Sequence, residues 1–311
     1  MKNLIINTLL IAIICLTCLS CSNQAIKFNN SGMAYYEKGQ YDLAIADYNK
    51  AIKQDPKLSA AYSNRGLAYN NKGQFELAFA DYNKAIELDP KNAEAYSNRG
   101  MAYYNKGQAE SAIADYNKAI TLDPTLSATY SNRGLAYNNQ GQSESAFADY
   151  NKAIELDPNN AEAYSNRGLA YHNKGQAESA IADYNKAITL NPTLSATYSN
   201  RGMAYNNQGQ SELAFADYNK ALELDPKNAK AYSNRGMAYY KKGQYDLAIS
   251  DFNKAIELEP KSAEAFYNRG MAYYKTKQYS EAIADFEHVV SISTDTELVN
   301  TAKVNIEKLR Q

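Results

Sequence analysis

Ala93–Leu126 reads AEAYSNRGMAYYNKGQAESAIADYNKAITLDPTL. In its first half Tyr96, Gly100 and Tyr103 fall at i, i+4 and i+7. In its second half Ala112, Tyr116 and Ala119 do the same, with Ile113 and Ile120 one step round. That spacing predicts two amphipathic helices. Gly107 stands between them, where a left-handed residue ends a helix. Pro124 ends the second, because its ring cannot continue the hydrogen-bond ladder and pushes Asp123 out of the helical region. The stretch is a helical hairpin.

The same unit recurs along the chain. Gly32, Gly66, Gly100 and their successors to Gly270 are spaced by 34 residues, as are Tyr35, Tyr69, Tyr103 and the column ending at Tyr273. Ala44 to Ala282 form a third such column. The 7 prolines of the chain form a fourth, from Pro56 to Pro260. The repeats run 25–58, 59–92, 93–126, 127–160, 161–194, 195–228, 229–262 and 263–296. Repeats three and four nearly duplicate repeats five and six, which points to a 68-residue tandem duplication.

This pattern resembles the tetratricopeptide repeat (TPR) family, with its period of 34 and its Ala–aromatic–Ala and Pro positions. Where the family often has Trp, this chain has an aromatic such as Tyr62 or Tyr96, and Phe28 and Phe266 in the first and last repeats. The resemblance implies an all-α fold: a right-handed TPR superhelix, or α-solenoid, of eight helical hairpins. The last repeat degenerates, with Lys277 at the turn glycine and Thr294 at the proline. Thr294 and Glu297 suit a capping box. Leu298, Ala302, Ile306 and Leu309 then form a helical stripe, so 295–311 is expected to be a capping helix over the end of the array.

The formal net charge is −1, which argues against a nucleic-acid footprint. All 3 cysteines, Cys15, Cys18 and Cys21, precede the repeats, so the array holds neither disulfides nor a cysteine metal site. The segment 1–21 has an early Lys2, an apolar Leu4–Leu19 and the small Ser20, as a secretory signal has. It resembles a bacterial lipoprotein signal with Cys21 as the lipidated residue. Cys18, where that signal usually has Leu, departs from the pattern. Lipidation, simple secretion and an uncleaved anchor all stand as readings. Under the first, a linker of only 22–24 would hold the first hairpin near a bacterial envelope membrane.

Catalytic constellations are missing. The chain has no Walker A loop, no G-x-G-x-x-G after a strand and no H-E-x-x-H. With 2 histidines, His172 and His288, and no convergent ligand set, neither a metal nor another cofactor is expected. His288 is expected on the exposed side of its helix.

One column invites a binding role: Asn30, Asn64, Asn98, Asn132, Asn166, Asn200, Asn234 and Asn268. In the family the first helices line the concave groove, and an Asn here commonly meets a peptide backbone. An amide offers both a donor and an acceptor, as a peptide unit does. The alternative is a polar residue copied with the repeat. Beside it stand Arg65, Arg99, Arg133, Arg167, Arg201, Arg235 and Arg269, with Ser31 in the first repeat. These either attract acidic groups or pair with Asp81, Asp115 and their equivalents on the second helices. The family's carboxylate clamp needs a second Asn where Met33, Leu67, Met101 and Leu135 stand, so it is absent. Those residues form either an apolar groove strip or inter-helix packing.

The expected function is a non-enzymatic scaffold that binds proteins or peptides. The alternatives are an accessory subunit of an envelope enzyme complex, and an RNA-binding helical repeat.

Overall fold

The computed structural model describes residues 23–310, which contain seventeen helices and no strand. The segment 1–21, with Cys21, lies outside the described residues. Helix α1 covers 23–37 of the described residues. Its partner α2 is Tyr41–Gln54. The next three hairpins are α3 (Ser59–Asn71) with α4 (Phe75–Leu88), α5 (Ala93–Asn105) with α6 (Ala109–Leu122), and α7 (Ser127–Asn139) with α8 (Ser143–Leu156). These make up a first compact unit, which ends at Pro158. The second unit begins at Asn159. It holds α9 (Ala161–Asn173) with α10 (Ala177–Leu190), α11 (Ser195–Asn207) with α12 (Ser211–Leu224), α13 (Ala229–Lys241) with α14 (Tyr245–Leu258), and α15 (Ala263–Lys275) with α16 (Tyr279–Ile292). Helix α17 (Thr296–Arg310) closes it. The architecture is the expected all-α TPR superhelix.

Each hairpin is closed by the same chemistry. Gly107 takes φ +78, and the Gln108 N–H reaches back to the Tyr103 carbonyl at 2.9 Å. This is the six-to-one bond of a Schellman motif. Lys277 adopts φ 63 in the last hairpin and keeps the equivalent bond, Gln278 N–H to Tyr273 O at 2.9 Å. The loop after a second helix is pinned by an Asx residue in hairpins one, two, three, five and six, as where Asp123 accepts from the Thr125 N–H at 2.9 Å.

The core of each hairpin is one ring on one glycine. Tyr116 is wholly buried, and a Cβ added to Gly100 would lie 2.8 Å from its Cε1. Successive hairpins repeat the pair, ending with Phe252 on Gly236 and Phe286 on Gly270. Ala112 and Ala136, with Tyr103, Tyr104 and Ile113, complete the packing around Tyr116. Small residues let the helices close on an aromatic plate, and burying each plate stabilises by roughly 1.5–3 kcal/mol.

Within each unit the first helices of successive hairpins touch, α3 with α5 and α11 with α13 for example. The second helices of a unit make no comparable contact with one another. First helices therefore form the inner, concave side of each unit.

Two local expectations are corrected. Helix α17 is capped by Asp295, whose Oδ1 accepts from the N–H groups of Glu297 at 2.9 Å and Leu298 at 3.2 Å. Thr294 is not the cap, because a carboxylate just before the first turn meets the orphan donors and the positive helix end better. His288 is half-buried, with its ring 4.2 Å from that of Phe266.

Candidate functional site

The arginines face away from the inner side. Arg99 Nε and Nη2 donate to the two carboxylate oxygens of Asp115, each at 2.7 Å. Its Nη1 donates to Asn83 Oδ1 on the preceding second helix at 2.7 Å. The guanidinium also lies 5.5 Å from the Tyr96 ring centre. Arg133 makes the same fork on Asp149 and reaches Asn117, and Arg201 does so on Asp217 and Asn185. Arg167 forks on Asp183. Each of these three-way ties joins a first helix to its own second helix, and most also reach the one before. The Asp115 hydrogen bonds hold the Arg99 guanidinium above its ordinary range, against the opposing effect of burial. The arrangement is the Arg–Asp lattice that was one of the two sequence readings.

The pairs are worth more than surface ion pairs, because they are bidentate and the carboxylates are almost out of water. Asp149 keeps 7% of its side-chain surface and Arg133 keeps 18%. Breaking a charge-assisted hydrogen bond of this kind costs about 1.5–3 kcal/mol. In the first hairpin, Ser31 and Lys50 replace the arginine, each bonding Asp47 at 2.6 Å. Burial opposes the Asp47 charge, but these two bonds outweigh it and hold the carboxyl below its usual range.

The asparagine column does lie on the inner side. Asn64, Asn98, Asn132, Asn166 and Asn234 are partly exposed, while Asn200 and Asn268 retain 8%. Several also tie one first helix to the previous one. Asn64 donates to Asn29 Oδ1 at 3.0 Å, Asn98 to Ser63 Oγ at 3.4 Å and Asn234 to Ser199 Oγ at 3.1 Å. The column thus combines a structural tie with surface left over.

A second column was not singled out from the sequence. Asn71, Asn105, Asn139, Asn173 and Asn207 are exposed at the ends of their helices. Asn71 donates to the Tyr36 hydroxyl and Asn139 to that of Tyr104. Asn105 reaches Asn70 Oδ1 at 3.4 Å, and Asn207 lies 3.5 Å from His172 Nε2. Burial, with Lys230 nearby, lowers the His172 pKa. Between the two columns stand Leu67, Met101, Leu135, Leu169 and Met203, all half-buried. They serve packing and surface together. Asn98, Met101 and Asn105 fall at i, i+3 and i+7, so one helix face presents amide, thioether and amide in a row.

Among the described residues no cluster of His, Cys, Asp or Glu could hold a metal ion, and no helix is long and apolar enough to cross a membrane.

Comparison with known proteins gives the same picture. The chain is similar in fold to the Cut9–Hcn1 hetero-tetramer of the APC/C, with TM-score 0.78 and 18% identity over 90% of this chain. It spans only 55% of that protein's chain. It is also similar to a tetratricopeptide repeat protein from Parabacteroides merdae, with TM-score 0.59 and 22% identity, covering 82% of this chain and 98% of that one. Yeast Tom70 matches with TM-score 0.61 and 20% identity, over 93% of this chain and 64% of its own. Among curated protein sequences no match was found. The family described as "TPR repeat" matches 32–73, 66–107, 100–141, 136–175, 202–243 and 236–277. Families described as "Tetratricopeptide repeat" match 161–194, 263–293 and 183–216. These matches leave no gap from 32 to 293, and the chain belongs to the tetratricopeptide repeat family.

Proposed function

We propose that the inner face of each unit binds an extended peptide segment of a partner protein, and that the chain is a scaffold without chemistry of its own. The observation that carries this is the strip of Met and Leu edged on both sides by asparagines, seen at Asn98, Met101 and Asn105. An extended peptide needs apolar contact for alternate side chains and amide partners for its backbone. Both are offered at the spacing of one helix face. Asn132, Asn166, Asn200 and Asn268 extend the first column. In this reading Arg99, Arg133, Arg167 and Arg201 act indirectly, holding the first helices in place from behind.

The test is a display library of random peptides selected against the purified chain. The variant Asn98→Ala/Asn105→Ala/Asn132→Ala should lower affinity for the selected peptides about tenfold or more, from two or more lost hydrogen bonds. Its helical circular dichroism should stay unchanged. Equal affinity with intact helicity would remove the inner face as the site.

The signal-like segment supports a second element of the proposal: export to a bacterial envelope, with Cys21 lipidated. Mass analysis of the mature N-terminus decides it. A mature chain that keeps Met1, or begins elsewhere than Cys21, would end the lipidation reading.

A further inference from the structure

The array's inner pattern stops where α17 begins. In the first unit the Tyr104 hydroxyl is held by Asn139. In the register of the repeat, Leu309 falls at the place of Asn139 and Lys308 at that of Asn138. Tyr274, which corresponds to Tyr104, consequently has no hydrogen-bond partner for its hydroxyl among the described residues and is 45% exposed. Around it lies a cavity of about 160 Å³, lined by Met271, Tyr274, Phe286, Asn305, Lys308 and Leu309. Asn305 Nδ2 is steadied by the Tyr267 hydroxyl at 3.4 Å and Met271 Sδ at 3.7 Å. Lys308 is exposed and enters no ion pair among the described residues.

We infer that this cavity anchors the C-terminal residue of a bound peptide, its apolar side chain inside and its α-carboxylate on Lys308 and the Tyr274 hydroxyl. Three features select that ligand. At about 160 Å³ the cavity, open to solvent on one side, has room for a benzene-sized group, about the size of a Leu or Phe side chain. The two donors, an ammonium and a phenol, favour an anion. The apolar floor and the donors belong to the same six residues, so one ligand residue must supply both an apolar group and a carboxylate. A terminal Leu or Phe carries both on one Cα. An internal Asp or Glu has the charge without the apolar body. The inference deepens the reading of the inner face as a peptide path by giving that path an end.

The full chain, labelled with ¹³C at the methionine methyls, provides the test. The probes are acetyl-Gly-Ser-Gly-Ser-Leu with a free carboxylate, the same peptide as its C-terminal amide, and hexanoate. The acid peptide should shift the Met271 methyl resonance, and the amide should bind about tenfold more weakly or less. Lys308→Gln should lower affinity for the acid about tenfold, and Leu309→Trp, which fills the cavity, should abolish the shift. An unmoved Met271, or equal binding of acid and amide, overturns the inference. Hexanoate binding as tightly as the peptide also overturns it, because the site would then belong to small acids. If Met203 and Met237 shift while Met271 stays still, the peptide path stands and its proposed end falls. If Met271 alone shifts, the anchor stands and the longer path loses support.

Discussion

Hairpins two to five and hairpins seven and eight solve the same packing problem with different rings. In the former, Tyr82, Tyr116, Tyr150 and Tyr184 lie flat on glycines, each wholly buried and each with a hydroxyl that finds no partner among the described residues. In the latter, Phe252 and Phe286 occupy the same place on Gly236 and Gly270, at the same close approach of 2.9 Å. The hydroxyl changes nothing in the geometry. What the position requires is a flat aromatic plate over a residue without a side chain. The tyrosine hydroxyl is a cost that this close packing tolerates, since an unpaired buried hydroxyl is unfavourable.

The glycine is the stronger half of that pair, and removing it should have the largest effect. A Cβ at Gly134 would lie 2.7 Å from Tyr150 Cε1 and 3.2 Å from the Ala146 carbonyl oxygen. The ring is buried and the backbone oxygen is fixed, so neither can move aside. Gly134→Ala should destabilise the fourth hairpin by about 1–3 kcal/mol from overpacking, even though alanine favours a helix by about 1 kcal/mol. Hydrogen exchange read hairpin by hairpin is the suitable measurement, because repeat arrays open locally. Gly236→Ala should do the same under Phe252. A harmless Gly134→Ala beside a costly Gly236→Ala would break the equivalence of the two regions.

The last hairpin departs from the rest at its turn as well. Lys277 holds φ 63 where the other seven hairpins place glycine. A side chain in the left-handed region costs about 1–2 kcal/mol. Lys277→Gly should therefore slow exchange in α15 and α16 by an amount near 1 kcal/mol. No change would mean that Lys277 already finds compensation in this turn.

The columns of glycine, proline and aromatic residues were readable in the sequence because each is forced by backbone or packing, and recurrence made the pattern plain. The fate of Arg99 was not readable. A guanidinium one place from Asn98 turns either to the inner face or to the second helices, and only the position of Asp115 and Asn83 in space decides. Asn105 and its equivalents went unnoticed for another reason. Lys241 and Lys275 interrupt the column, and the partners of Asn71, Asn105, Asn139 and Asn207 lie 35 residues back on the previous first helix. The start of α17 was misplaced by one residue, since Thr294 and Asp295 are both good caps and only the donor geometry separates them.

The smallest expected effect concerns the hydroxyl itself. Tyr116→Phe should leave stability at neutral pH unchanged or raise it by up to about 1 kcal/mol, because an unpaired polar group is removed with no loss of shape. Alkaline conditions make the two regions diverge. Burial pushes the Tyr116 hydroxyl above its ordinary range, with Tyr104 and Asp115 adding to the rise. Burial pushes that of Tyr48, at the start of the array, up to about 12. A group whose pKa is raised in the folded state contributes stability that is complete below the unfolded value near 10, and loses it as pH climbs towards the folded one. Between about pH 10 and 12 the unfolded tyrosine ionises while the buried one stays neutral, so hairpins two to five weaken. The eighth has Phe286 at this place, while the seventh, with Phe252, keeps a contribution from Tyr240, whose hydroxyl burial also raises. Tyr116→Phe should remove the Tyr116 part of the third hairpin's loss and leave that of Tyr104, whose hydroxyl burial also raises. If exchange in the third and eighth hairpins falls in parallel with rising pH, or if the substitution costs stability at neutral pH, then the hydroxyl has a partner and the two rings are not interchangeable.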